Sequence, residues 1–107
     1  MNLTIVVENN TYLINIPEDV TQDGESFFTK MDDDMSKGHQ MDRQWVESPT
    51  TLQRCQIAAG RIADAIESKN ETLAYLMAGY IVSRMPSVKE VHVDTEGEMS
   101  ETQFVLD

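Results

Sequence analysis

An α+β fold is predicted by three features of the chain. These are an alternating apolar pattern near the N-terminus, a long central stretch with helical periodicity, and a second short alternating pattern near the C-terminus. The 107 residues fit a single domain spanning 1–107, and the 40% that are apolar supply one core.

Leu3, Ile5 and Val7 share one face of an extended segment, as do Tyr12, Ile14 and Ile16. Asn9 and Asn10 stand between them, and asparagine tolerates the positive φ of a two-residue turn, which predicts an N-terminal β-hairpin. Pro17 through Gly24 reads as turn. Phe27, Phe28, Met31 and Met35 then recur at helical spacing until Gly38 offers a stop. From Lys37 to Glu47 no period holds, so a polar connection carrying Met41 and Trp45 is expected.

Ser48 and Pro49 read as a helix start, because serine accepts a hydrogen bond from a free N–H and proline at the first helical position loses none. The apolar stripe Leu52, Cys55, Ala59, Ile62 and Ile66 defines that helix. Asn70 is the natural cap of a second helix running to about Met85, where Pro86 prevents continuation. Since Leu73 to Val82 is apolar nearly all round, this helix is expected at the centre of the core. The short Ser68–Asn70 connection makes the two helices an antiparallel pair. Val88, Val91 and Val93, then Phe104 and Leu106, predict two short strands around an acidic loop.

The net charge of −11 disfavours nucleic acid and anionic membrane as direct partners, since both repel an acidic surface. The charge is unevenly spread. Residues 8–42 hold nine acids and two lysines, 43–89 hold six bases and four acids, and 90–107 hold six acids and no base. A lone cysteine, Cys55, forms no internal disulfide, and the first residues lack the basic start and apolar stretch of a secretory signal. The longest uncharged run, Thr72–Ser83, is shorter than the ~20 residues that span a bilayer. A cytoplasmic location without membrane attachment is the expectation.

Three consecutive acids, Asp32, Asp33 and Asp34, are the most distinctive local feature. An EF-hand register from Asp32 puts Lys37 at the glycine position and Arg43 at the bidentate glutamate position, which excludes that loop. On a helix the three carboxylates fan over about 200° and cannot meet at one ion. Asp33 then points away from the apolar stripe, while Asp32 and Asp34 flank it. A solvated helix face accounts for the run, yet acids near a helix C-terminus oppose its dipole, which points either to an interaction role or to a helix boundary elsewhere. Trp45 and Met41 are residue types enriched in interface cores. The ordinary expectation for the tryptophan is a packed position sealing the small core, with an exposed anchor as the alternative.

His92, Asp94 and Glu96 alternate and would share a strand face, the one weak candidate for a divalent-metal site. His39 with Asp42 is weaker. Cys55 lies on an apolar stripe, where cysteine packs as a small hydrophobe. Arg54 and Arg61, seven residues apart, are expected to pair with acids of the chain itself or with a partner. No nucleophile, base and acid arrangement is visible, and no glycine-rich phosphate loop, so neither an enzyme nor a cofactor is expected.

The run MDDDMSKGHQMDRQWVESP, continuing into LQRCQIAAGRIADAIE and LAYLMAGYIVSRMP, resembles a group of short acidic bacterial proteins of unknown function, over about residues 31–86. The resemblance implies a bacterial cytoplasmic protein of this size and carries over no catalytic residue. The reading from the residues is therefore a non-enzymatic interaction or self-associating domain. Asp32, Asp33 and Asp34 would steer a basic partner, and Met41 and Trp45 would supply contact area. The nearly all-apolar helix admits a second copy as the partner, in a homodimer. A small divalent-metal-binding protein is the alternative from another class, and an acidic nucleic-acid mimic is a third.

Overall fold

The computed structural model describes residues 1–107 and shows an α+β fold with one layer of helices on one face of a four-stranded sheet. Strands β1 (Asn2–Val7) and β2 (Asn10–Asn15) form the expected hairpin. Its two-residue turn is Glu8–Asn9, one residue earlier than the asparagine pair suggested, and Glu8 takes the positive φ of 56°. The side-chain alternation sets the register: Leu3 opposite Ile14 and Ile5 opposite Tyr12 all face the helices.

The segment read as a turn after Pro17 is instead a short helix, α1 (Glu18–Asp23), followed through Gly24 by α2 (Glu25–Met35). Two acids at the start of α1 suit its N-terminal dipole, and Val20, half-buried, is its apolar contact. With one apolar side chain in six residues, no period could announce it. Phe28, Met31 and Met35 are buried as their spacing predicts.

The supposed polar connection also has structure: β3 (His39–Met41) and β4 (Gln44–Val46) pair as a second, two-stranded sheet, with Asp42 at φ 54° in its turn. Ser48 and Pro49 do not start the next helix. Thr50 caps α3 (Thr51–Ser68) in a reciprocal arrangement, its hydroxyl accepting from the Gln53 amide while the Gln53 side chain accepts from the Thr50 amide. Asn70 caps α4 (Glu71–Arg84) as expected, its side chain accepting from the Leu73 amide.

Helices α3 and α4 pack as neighbours, and α4 is buried along most of its length, from Ala74 through Val82. Gly79 shows why α1 and α2 can lie so close to it. A Cβ there would stand 2.9 Å from Val20 Cγ1 and 3.0 Å from Phe28 Cζ. After α4, β5 (Val88–Val93) runs parallel to β1, and β6 (Gln103–Leu106) pairs antiparallel with β5. The strand order is β2-β1-β5-β6, so the terminal strands enter the same sheet as the hairpin.

Leu3, Ile5, Ile16, Val91, Ile62, Met77 and Ile81, all nearly inaccessible to solvent, join the sheet to α3 and α4. The opposite sheet face, carrying Leu13 and His92, is open to solvent. No helix is long and apolar enough to cross a membrane.

Met41 belongs to the core, at 4% exposure, which removes it from the expected contact surface. Met41→Ala should therefore lower unfolding stability by about 2–5 kcal/mol, the usual cost of emptying a core position. Equilibrium denaturation checks this, and a loss within ~0.5 kcal/mol, typical of surface substitutions, would show that Met41 is not structural.

Candidate functional site: an acidic groove beside a carboxylate hub

The three consecutive aspartates separate into two roles. Asp33 and Asp34 are exposed, Asp34 pairing with Lys30 at 3.5 Å on the solvent side. Asp32 turns inward and is the hub of an ionic cluster. Its Oδ1 accepts from the Tyr80 hydroxyl at 2.5 Å and from Arg54 Nη1 at 3.1 Å, and its Oδ2 accepts from Arg84 Nε at 2.9 Å. Arg54 also donates to the Pro49 carbonyl at 2.8 Å and to Ser36 Oγ at 3.0 Å. Arg84 also donates to Glu25 at 3.1 Å, and its guanidinium lies over the Tyr80 ring at 5.3 Å and the Phe28 ring at 5.9 Å.

Burial alone would raise the Asp32 carboxyl, but hydrogen bonds from Tyr80, Arg84 and Arg54 outweigh it and hold the group below the usual carboxylate range. Burial first, then the hydrogen bond to Asp32 and its charge, push the Tyr80 phenol up, against the opposing charge of Arg84. Cys55, wholly buried, is pushed to about 12 by burial first and by the Asp32 charge second. A thiol so protonated is a packing group and no nucleophile at neutral pH. The cluster is a structural latch between α2, α3 and α4.

Trp45 does not seal the core, as a packed tryptophan would. It is 60% exposed, with its six-membered ring against Gly38, where a Cβ would stand 2.3 Å from Cζ2. Gly38 sits at φ 104°, so the turn and the ring contact both require glycine there. Of the residues expected to meet a partner, Asp33, Asp34 and Trp45 are accessible, whereas Asp32 and Met41 are engaged internally.

The residues considered for a metal do not converge. His92 Nε2 lies 3.2 Å from Glu90 on the open sheet face. The Asp94 carboxylate accepts from the backbone amides of Glu96 at 3.0 Å and Glu98 at 2.8 Å, closing the turn after β5. Nowhere do three side chains of His, Cys, Asp or Glu come together in an arrangement that could hold an ion.

The main concavity was not legible in the sequence. It is a groove of about 880 Å³ at the carboxyl ends of the parallel strands β1 and β5, which end in register at Val7 and Val93. One wall is α3, which presents Ile57, Gly60, Asp64 and Glu67 along three turns. The other walls are the Glu8 turn, the loop 94–99, and His39 of β3.

The loop is firmly held. Thr102 Oγ1 accepts from the Asp94 amide at 3.0 Å, and buried Gln56 donates from α3 to the Ser100 and Thr102 carbonyls at 3.1 and 3.2 Å. Ser100 in turn donates to Asp42, tying the β3–β4 hairpin to the same wall.

The groove has an apolar floor, including Val7, Ile57, Val93 and Met99, and an acidic rim of Glu8, Asp64, Glu67, Asp94 and Glu98. Arg61 is its single arginine or lysine, and it takes part in none of the chain's ion pairs. Burial lowers the pKa of His39, and the Arg61 charge adds to that effect. Five carboxylates against one guanidinium leave the groove four charges negative.

No family model, curated protein or solved structure matches the chain.

Asp32→Asn leaves two partly buried guanidiniums without their shared carboxylate and should cost about 2 kcal/mol at neutral pH. Because the folded-state pKa lies below the ordinary 3.8, the stabilisation by Asp32 is complete above 3.8 and disappears as pH falls through the folded value. Denaturation curves of both proteins should thus converge in acid, and a gap that persists there would contradict the role of this carboxylate. Gly60 stands mid-helix with nothing within 4 Å of its would-be Cβ, so Gly60→Ala should raise stability by about 0.5–1 kcal/mol, read as a higher Tm.

Proposed function

We propose that this chain is a non-enzymatic protein-interaction domain whose acidic surface docks a partner with a basic face. The observation that carries this reading is the groove itself, a concavity with an apolar floor and a rim four charges negative. Complementary charge speeds encounter and selects the partner, while the apolar floor supplies the desolvated contact on which affinity depends. Asp33, Asp34 and Trp45 are exposed as well, outside the residues that line the groove.

A bacterial cytoplasmic setting is part of the same reading and rests on the sequence alone. The charges of Asp32, Arg54 and Arg84 are matched to one another in the helix packing, so the docking reading rests on the groove.

Capture from a bacterial lysate at low and moderate salt, with the natural chain and with the variant Glu8→Gln, Asp64→Asn, Glu67→Gln and Glu98→Gln, tests the proposal. The expected result is a basic protein retained by the natural chain at low salt and lost by the variant, with both folded by circular dichroism. Equal recovery by the two would discard the groove as the docking surface. Recovery of only the chain itself, with a dimer in sedimentation, would replace the basic partner by a second copy.

A further inference from the structure

Gly60 and Gly79 are both glycines inside long helices, and only one of them has an internal reason to be glycine. At Gly79 a side chain would collide with Val20 and Phe28, whereas at Gly60 nothing lies within 4 Å of the position a Cβ would take. A mid-helix glycine destabilises a helix relative to alanine, and the folded chain gains no close contact from this one. Gly60 lies in the groove wall, a turn before Ala63 and Asp64, so the only space it opens is the groove. Small residues on a helix let a second backbone approach closely, because the distance between packed helices is set by the side chains at their contact.

The length of the wall points the same way. The α3 residues that line the groove run from Ile57 to Glu67, ten rises of an α-helix, or about 15 Å. Apolar side chains stand below, with carboxylates on α3 and on the facing Glu8 turn and loop 94–99. An occupant that matches all of these has an apolar stripe flanked by positive charge, with the stripe running along α3. Those are the properties of a basic amphipathic helix, docked by its apolar face into a groove.

We infer that the groove seats a basic amphipathic helix of a partner protein, with its backbone against Gly60 of α3. Its apolar face meets the partly buried Val7, Tyr12, Ile66 and Met99, and its lysines or arginines reach Glu8, Asp64, Glu67 and Glu98. This rests on the docking role proposed above and adds the shape of the ligand and the point of closest approach. Of the two residues that flank Gly60 in sequence, Ala59 is buried in the core and Arg61 lines the groove.

The probe is a synthetic helix-forming peptide of about fourteen residues, four turns, with leucines on one face and lysines on the others. Its controls are a scrambled peptide of the same composition, an oligolysine of the same charge, and spermidine. Binding is measured by titration calorimetry to the natural chain, to Gly60→Leu, and to the variant with four rim acids neutralised.

The expected result is that the amphipathic peptide binds the natural chain, with Gly60→Leu weakening it about tenfold or more while the fold is preserved and Tm is not lowered. The scrambled peptide should bind more weakly than the amphipathic one. Binding that Gly60→Leu leaves intact but rim neutralisation abolishes overturns the helix geometry and retains the acidic docking role. Binding that survives both variants overturns the two together. If oligolysine or spermidine binds as tightly as the amphipathic peptide, the groove recognises charge alone and the helix assignment fails. Should Gly60→Leu unfold the domain, Gly60→Ala carries the same test, because added stability with weakened binding is an outcome that a structural role for Gly60 cannot produce.

Discussion

The arrangement of the helices depends on one carboxylate. Asp32 stands on α2 and receives Tyr80 and Arg84 from α4 and Arg54 from α3, so a single side chain fixes the rotation of α2 against the antiparallel pair. Burying two guanidiniums without it would leave their charges uncompensated, and burying the carboxylate without them would raise its pKa. The geometry is therefore mutually required. Arg84 extends the same logic to Glu25 at the start of α2, while its guanidinium covers two aromatic rings. Phe28 and Tyr80, edge to face at 6.0 Å, close the apolar side of the cluster.

This hub also decides where the acidity of the protein is free to act. Two of the strongest cations, Arg54 and Arg84, are consumed at the α2 end, leaving the opposite region of α3 with Asp64, Glu67 and an unpaired Arg61. The carboxylates of the Glu8 turn and loop 94–99 face that region because β1 and β5 are parallel neighbours and their carboxyl ends coincide. In open sheets, ligands gather outside the carboxyl ends of parallel strands, where loops diverge and leave a crevice. Here the crevice is bounded by acids because both loops are acidic, and no base of the chain forms an ion pair with them.

Much of the fold was legible in local patterns. The first hairpin, α2, the α3–α4 pair with its Asn70 cap, and the two C-terminal strands each carry a periodicity that a core of this size can satisfy in one way. Three features escaped. Helix α1 has too few apolar side chains to show a period, and β3–β4 is three residues a side, too short for alternation to register. The parallel pairing of β1 with β5 joins segments more than eighty positions apart, and nothing local announces it. That pairing creates the groove, so the site was hidden for the same physical reason as the topology. The aspartate run illustrates a different limit: periodicity placed Asp32 and Asp34 at the two flanks of the apolar stripe, but only the position of α4 decides which flank meets Tyr80 and Arg84.

The two helical glycines separate folding from function more sharply than charge does. Carboxylates on a surface have many uses, including solubility, and an acidic rim taken alone would say little about a ligand. A glycine inside a helix is different, because the extra freedom it gives the unfolded chain makes the helix less stable than alanine would, with no surface property gained in return. At Gly79 the neighbouring Val20 and Phe28 supply a reason from within the fold. At Gly60 the fold supplies none, and the space lies open over an apolar floor between two acidic walls. On the docking reading proposed above, a close approach from outside the chain would use that space, and an occupant combining apolar area with positive charge would suit both the floor and the walls.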